Sequence, residues 1–231
     1  MHSRWLMLDR ALAVITTVAA VVIAAAMWAG GGEKGHPNTG GRIEYREGWR
    51  AALGVALPES SKGAPVTILE FVDLQCPSCA RFAEVLREVK AKFGAVLDIK
   101  LVNYPLEQHE HAFDAALSLV CADQAGVGLA YADTVFAMRK SLGSVPWSVF
   151  AKRGGIADTS RFSACMRRPE TRDAVDSARA VGQRLLVPGT PSVFVNGWQL
   201  RGPLSAEFVS AVVSALLTGK DPVKAAALRD H

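Results

Sequence analysis

A mostly apolar strand that runs directly into a pair of cysteines at the start of a helix constrains the fold of this chain more than any other feature. Residues 66–72 are rich in β-branched side chains, which predicts a strand buried on both faces. Cys76 and Cys79 follow, and apolar residues then recur every three or four positions up to residue 93, which predicts an amphipathic helix. Residues 96–102 predict a second strand, and the short helical crossover between the two strands makes them parallel.

The rest of the chain predicts a second half that is separated from this βαβ unit. From about 107 to 186 the sequence holds a series of helical patterns with no good strand between them. Asn196-Gly197 then joins two short apolar segments, 192–195 and 198–201, and this dipeptide is typical of a two-residue hairpin turn. A last helical pattern covers about 205–217. We therefore predict an α/β fold with a helical insertion between a βαβ half and a β-hairpin half.

The N-terminal segment predicts export. Residues 11–29 carry no charge and follow a short basic segment, 1–10, and a helix of that length spans ~28 Å, close to the apolar thickness of a bilayer. We favour a single membrane anchor through the lipid bilayer over a cleaved signal sequence. Residues 30–63 begin with a glycine-rich run and are interpreted as a tether, 64–218 as the folded domain, and 219–231 as a C-terminal tail. The domain is expected on the extracytoplasmic (periplasmic) side of the cell membrane, or secreted after cleavage.

Charge and composition argue against a nucleic-acid partner. The chain has 231 residues and a net charge of +4, and its basic residues are scattered, with no basic run that carries interleaved aromatic side chains. Its four cysteines suit either a compartment in which disulfides form or a zinc site. The surroundings of the cysteines must therefore distinguish the two.

The position of Cys76 at the start of a predicted helix favours a redox role for the cysteine pair. At the start of a helix, the unpaired N–H groups and the helix dipole favour a thiolate, which is the attacking species in disulfide exchange. Pro77 suits the first helical position because it has no N–H to leave unpaired. Cys79 lies one turn further along the helix. We therefore predict that Cys76 is the exposed nucleophile and Cys79 the resolving cysteine.

Two other interpretations of the pair stay open, namely half of a zinc site and a purely structural disulfide. Zinc would need two more ligands, for which the sequence offers two further cysteines and two nearby histidines: Cys121, Cys165, His109 and His111. The redox interpretation is favoured because the pair follows a buried strand and opens a helix, and because no second Cys-x-x-Cys is present. We predict no metal and no cofactor.

The segment from Val66 to Cys79, with the sequence VTILEFVDLQCPSC, resembles the active-site segment of DsbA-type thioredoxin-fold proteins, in particular their exported or membrane-anchored relatives. The resemblance extends over about 64–218. It includes the inserted helical block and Gly189-Thr190-Pro191 just before the hairpin. It implies a thioredoxin-like fold and a thiol–disulfide oxidoreductase activity.

The resemblance also implies roles for individual residues. Pro191 is expected to be cis and to face the cysteines, and the backbone of Thr190 to pair with an extended substrate peptide. Pro77 and Ser78, between the cysteines, are expected to contact the substrate. Glu70 is expected to be a buried acid that exchanges a proton with the resolving cysteine, with the alternative of a solvent-facing acid at a strand edge.

The chain departs from the strongest oxidants of this family at Ser78, where they carry a histidine. A histidine would add a positive charge beside the Cys76 thiolate, whereas a serine offers only hydrogen bonds. We therefore expect a pKa of Cys76 that is less depressed, and a less oxidising pair, than in those proteins. The direction of net electron flow stays open.

Cys121 and Cys165 remain if the first two cysteines pair with each other. We predict a structural disulfide between them, which would close a loop of about 45 residues and stabilise the fold by roughly 4 kcal/mol. A redox relay to the main pair and two buried free thiols are the alternatives. His109 and His111 do not share a helix face, which favours solvated polar residues at a helix start over a modulating role near Cys76 or a metal site.

Together these features predict thiol–disulfide exchange on exported protein or peptide thiols, with an oxidase that forms disulfides favoured. A reductase or isomerase of the same fold stays open, as does a non-catalytic substrate-binding or metal-delivery module. The resemblance implies that a membrane quinone-linked thiol oxidase, of the DsbB or vitamin K epoxide reductase-like type, reoxidises the pair.

Overall fold

The computed structural model describes residues 42–55 and 64–227, and these residues build one mixed five-stranded sheet with helices on both faces. The strand order is β1-β5-β4-β2-β3. Only β2 and β3 are parallel to each other, and the other neighbours are antiparallel. The strands are β1 (Arg42–Tyr45), β2 (Val66–Val72), β3 (Leu97–Asn103), β4 (Ser192–Val195) and β5 (Trp198–Arg201).

Eight α-helices accompany the sheet in the part of the chain that the structure describes. They are α1 (Pro77–Phe93), α2 (Ala112–Gln124), α3 (Gly128–Ala137), α4 (Trp147–Arg153), α5 (Thr159–Met166), α6 (Pro169–Arg184), α7 (Ala206–Leu217) and α8 (Pro222–Ala227). Short 3-10 helices cover Trp49–Gly54, Gly94–Val96 and Arg139–Ser141. Helices α2 to α6 form the insertion between β3 and β4, so the predicted α/β fold with its helical insertion is confirmed.

The alternating side chains of β2 divide the core into two layers. Val66 and Ile68 pack with α1 and α7, whereas Leu69 and Phe71 pack with α6 and the 3-10 helix at Trp49–Gly54. Both sets of side chains are at most 1 % exposed, because helices cover both faces of the strand. A third apolar cluster lies within the insertion and reaches the two cysteines of the Cys-x-x-Cys pair.

Described elements also lie on either side of the predicted domain, 64–218. β1 pairs antiparallel with β5, and Trp49 is 5 % exposed and packs so closely on Gly197 that a Cβ there would lie 2.5 Å from its ring. The predicted tether therefore contributes an edge strand. β1 has only a weak pattern in the sequence, because its four residues are mostly exposed and acquire their strand form by pairing with β5. Helix α8 likewise occupies part of the predicted tail and packs on α7 and β1.

The predicted membrane segment at 11–29 lies outside the described residues. Within 42–55 and 64–227, no helix has both the length and the apolar character that crossing a bilayer requires. The anchor and the cleaved signal sequence therefore both stay predictions.

Leu186 ends α6 in an unfavourable backbone conformation. Its φ is 53°, and its N–H bonds the carbonyl of Gln183 while the N–H of Val187 bonds that of Gly182, which is the pattern of a Schellman cap. Glycine is the usual residue at this cap position, because a Cβ is unfavourable in the left-handed region. The side chain of Leu186 is also 74 % exposed, so little packing compensates for its conformation.

Replacing Leu186 with glycine should therefore raise the free energy of unfolding by about 1 kcal/mol. Urea denaturation measures the change, and Leu186→Ala is the matched control because it removes the exposed side chain but keeps the Cβ. The alanine variant should not be stabilised. Equal stabilities of the two variants would contradict this explanation.

Candidate active site

Cys76 is the N-cap residue of α1. Its backbone is extended, with φ −68° and ψ 124°, and Pro77 occupies the first turn of the helix. The Cys76 N–H donates to the carbonyl of Asp73 at 3.0 Å, which closes a turn between β2 and α1. The free N–H groups of the first helical turn are therefore directed at the Cys76 sulfur.

The two cysteines of the pair differ in burial and in acidity. Both are free thiols; Cys76 is 6 % exposed and Cys79 fully buried. A hydrogen bond from the Cys79 thiol, together with the backbone N–H groups of Cys79 and Ser78, lowers the pKa of Cys76 to about 5 despite partial desolvation. Burial raises the pKa of Cys79 far above its usual range. At neutral pH the pair is therefore a thiolate beside a thiol.

Glu70 lies beneath the pair on β2. It is 1 % exposed, and burial raises the pKa of its carboxyl well above the usual range, against an opposing hydrogen bond with Cys79. The negative charge of Cys76 raises this pKa further. The acid therefore faces the resolving cysteine and not solvent, and burial favours its protonated form next to a group that must gain and lose a proton.

The loop before β4 faces the cysteines from the other side. The Thr190–Pro191 peptide bond is cis, and the Cys76 sulfur lies 3.5 Å from the carbonyl oxygen of Thr190. The loop is fixed by a hydrogen bond from the Ser192 hydroxyl to the Gly189 carbonyl at 2.7 Å. The structure thus brings together all the residues that the sequence grouped around the pair.

Ser78 and Pro191 also line a groove of about 420 Å³ beside the cysteines. The Ser78 hydroxyl accepts a hydrogen bond from the exposed Arg81 guanidinium at 2.9 Å. Arg81 was not singled out in the sequence, although it lies one helical turn after Ser78. The groove is otherwise mostly apolar, with Phe82, Val85, Pro203 and Leu204 in its wall.

A buried aspartate that the sequence did not single out organises the turn before Cys76. Asp73 is 1 % exposed, and its carboxylate accepts hydrogen bonds from Gln75 N at 2.7 Å and Leu106 N at 3.0 Å. His109 Nδ1 lies 2.7 Å from the same carboxylate, and the N–H of His111 donates to the Gln75 side chain at 2.7 Å. His109 is thus attached to the active-site turn and is not a solvated helix-start residue.

This contact had a signal in the sequence. Asp73 follows β2 and His109 follows β3, and the carboxyl ends of parallel neighbours meet at one edge of a sheet. Among residues 42–55 and 64–227, no group of three or more side chains is arranged to hold a metal ion.

The remaining two cysteines are bonded to each other within the insertion. Cys121 on α2 and Cys165 on α5 form a disulfide with a Cα–Cα distance of 5.9 Å. Both are buried in the apolar cluster of the insertion. The bond therefore joins two helices of the inserted block to each other.

A thioredoxin family model matches residues 61–215 of this chain. The chain belongs to the thioredoxin family. Its curated relatives include a Na(+)/H(+) antiporter NhaA of Herminiimonas arsenicoxydans, 30 % identical over 156 residues, and the NhaA 1 antiporter of Mycolicibacterium gilvum, 30 % identical over 164 residues. Each match covers 68 % of this chain, but the chain spans only about a quarter of the length of these relatives. The similarity is therefore that of a domain, and the transport named for those proteins is not assigned here.

Solved structures share the thioredoxin fold with this chain. BdbD of Bacillus subtilis superposes with a TM-score of 0.64 at 17 % identity, covering 72 % of this chain and 95 % of BdbD. The catalytic domain of Proteus mirabilis ScsC gives 0.63 at 16 % identity, with coverages of 73 % and 94 %. DsbA of Xylella fastidiosa gives 0.55 at 24 % identity, with coverages of 71 % and 90 %. These neighbours confirm the DsbA-type resemblance at the level of the fold.

Proposed function

We propose that this thioredoxin-family protein is a thiol–disulfide oxidoreductase that forms disulfides in exported proteins or peptides. The observation that carries the proposal is the asymmetry of the pair, with a stabilised thiolate at Cys76 above a buried, protonated Cys79. A pair of this kind releases Cys76 readily as a leaving group, because a thiol of low pKa leaves faster. Family membership supports the oxidoreductase role, and the direction of electron flow is part of the proposal.

The chemical steps follow from the positions of the groups. A substrate thiolate attacks Cys76 of the oxidised pair, a mixed disulfide forms, and Cys79 leaves as a thiolate. Because Cys79 is buried, its thiolate is unstable there and takes the proton of Glu70. A second substrate thiolate then attacks the substrate sulfur, which releases Cys76 as its stabilised thiolate and the substrate as a disulfide. The backbone of Thr190, next to Pro191 of the groove wall, would pair with the extended substrate.

The cycle needs an oxidant for the reduced pair. We infer a membrane quinone-linked thiol oxidase of the DsbB or vitamin K epoxide reductase-like type, which would accept two electrons from Cys76 and Cys79. Such a partner requires an extracytoplasmic domain, attached to the membrane if 11–29 is an anchor or free if that segment is cleaved. Disulfides persist in such compartments, in agreement with the bond between Cys121 and Cys165.

The reduction potential of the pair and its dependence on pH test this proposal. Because the pKa of Cys76 is lowered, its thiolate stabilises the reduced folded form. This stabilisation is complete at pH values above the ordinary thiol pKa, and it is lost as the pH falls through about 5. Above that pH the pair takes up one proton per two electrons, so the potential should fall by ~30 mV per pH unit, and below it by ~59 mV. Equilibration with glutathione, followed by mass spectrometry of alkylated protein, measures both quantities.

An oxidase should have a potential near ~−120 to −180 mV at neutral pH, whereas a value near ~−270 mV would favour a reductase. Thiolate ultraviolet absorbance, with Cys76→Ser as the blank, should titrate at the same pH at which the slope changes. A slope of ~59 mV throughout the neutral range would contradict the thiolate assignment.

A further inference from the structure

The carboxyl group of Glu70 has a second oxygen that takes no part in the proposed proton exchange with Cys79. Its Oε1 atom is buried and has no hydrogen-bonding partner. The residue also lines a cavity of about 60 Å³ that lies between β2, β3, α1 and α3. An unpaired buried carboxyl oxygen is costly unless water reaches it.

The cavity is large enough to hold water. A single water needs roughly 10–15 Å³ of volume on this measure, so the space beside Glu70 accommodates more than one. Apolar side chains such as Ile99, Leu101 and Leu129 form much of its wall, which leaves Glu70 as the inner polar group. Water there would bond to Glu70 and to other water molecules that lead outward.

Charged residues lie at the outer end of this cavity. Asp133 of α3 and Arg87 and Lys90 of α1 line it, and all three are exposed at the surface. Asp133 and Arg87 also line the adjoining surface depression, together with Glu84 of α1. Partial desolvation raises the pKa of Asp133, while Arg87 and Lys90 oppose that shift. The charged groups that face Asp133 around the cavity and the surface depression are therefore Glu84, Arg87 and Lys90 of α1 and Glu70 of β2.

We propose that water in this cavity carries protons between Glu70 and solvent, and that Asp133 is the group that exchanges protons with solvent at its outer end. The inference rests on the proposed function, because it concerns how Glu70 regains the proton that it gives to Cys79. Glu70 protonates the departing Cys79 thiolate and becomes a carboxylate. A water of the cavity then protonates that carboxylate and is itself reprotonated from Asp133, which takes its proton from solvent.

The position of the substrate explains why a separate route is needed. In the mixed disulfide the substrate sits on Cys76 and covers the exposed side of the pair. Cys79 is fully buried, and Glu70 lies beneath it, towards the cavity. Protons therefore reach Glu70 from the face opposite the substrate, through a wall that the inserted helix α3 provides with Leu129, Ala132 and Asp133.

Two variants of the full chain test the route. Asp133→Asn removes the outer acid at the surface, and Ala132→Val fills the cavity with two further carbon atoms. The measurement is the rate of proton uptake from solvent that accompanies reduction of the oxidised pair by a peptide thiol, followed with a pH indicator beside the rate of the reduction itself, as a function of pH, in H₂O and D₂O. Asp114→Asn is the matched control, because Asp114 is an exposed aspartate of the insertion that does not line the cavity.

We expect Asp133→Asn to slow the proton uptake several-fold at about pH 8, where hydronium is scarce, and hardly at about pH 5, with rescue by Asp133→Glu. Ala132→Val should slow it at every pH and increase the solvent isotope effect. The route would be overturned if the rate of Asp133→Asn relative to wild type does not vary with pH. It would also be overturned if that relative rate equals the relative rate of Asp114→Asn. An unchanged rate in Ala132→Val would overturn it as well.

Glu70→Gln separates the failure of the route from the failure of the proposed function. If Glu70→Gln is slow while the Asp133 and Ala132 variants are normal, only the route is wrong. If Glu70→Gln itself reacts at the wild-type rate, the proposed proton exchange between Glu70 and Cys79 is wrong. Unfolding curves of each variant verify that the fold is intact.

Discussion

Replacing Cys76 with serine should lower the rate of disulfide exchange with a peptide thiol by at least about a thousandfold. Cys76 is the only one of the pair with a lowered pKa, and the serine hydroxyl neither ionises near neutral pH nor forms a disulfide. The variant keeps the N-cap position and almost the same side-chain volume, so its stability should change little. Oxidation of a reduced, unfolded substrate protein, followed by its regained activity, measures the loss.

Cys79→Ser is the matched control for this experiment. It keeps the nucleophile but removes the resolving thiol. When it is offered a substrate that carries a disulfide, its Cys76 thiolate should attack one sulfur and release the other as a thiol, so that a mixed disulfide between Cys76 and the substrate accumulates and is visible by mass spectrometry. Trapping on Cys79 in a Cys76→Ser protein, or substantial turnover without Cys76, would refute the assigned roles. The trapped species would also identify the substrates, which the structure does not name.

Removing the disulfide of the insertion should cost about 4 kcal/mol of unfolding free energy. Cys121 and Cys165 are 44 residues apart, so the bond restricts a long loop of the unfolded chain. The double variant Cys121→Ala, Cys165→Ala should therefore unfold at clearly lower urea concentration. The comparison is best made in a protein that also carries Cys76→Ser and Cys79→Ser, so that thiol exchange does not obscure it.

The same double variant distinguishes a structural bond from a redox relay. With Cys76 and Cys79 intact, the reduction potential of the active pair should be unchanged, because neither Cys121 nor Cys165 is among the groups that set the pKa of Cys76. A changed potential or a lost reoxidation step would support the relay. A cost below about 1 kcal/mol would mean that the bond does little for stability.

The sequence predicted the main elements correctly because each has a strong local pattern. β2 is a run of apolar residues, α1 has a helical period that begins with Cys-Pro, and the hairpin has Asn-Gly at its turn. β1 had no such pattern, since it is short and mostly exposed and depends on pairing with β5 across about 155 residues of chain. For this reason the sequence placed β1 in the tether and not in the sheet.

The sequence identified most residues of the site, but it did not show which of them contact each other. Glu70, the cysteine pair and Thr190-Pro191 were found from their motif, whereas Asp73 and Asp133 drew no attention because an aspartate in a loop or on a helix is ordinary. Their significance depends on what lies near them. Asp73 receives hydrogen bonds from the loop after β3, and Asp133 lines the same cavity as Glu70 from another helix.

By itself, the sequence determined the strand–Cys-x-x-Cys–helix unit and, with it, a thiolate at Cys76, because the helix start acts over a few neighbouring residues. The tertiary structure alone decided the state of the groups around it. Burial raises the pKa of Cys79 and of Glu70, and desolvation of this kind depends on residues from β2, β3, α1 and α3 that are distant in the chain. The nucleophile is thus a local property of the sequence, while the supply of its protons is a property of the packed fold.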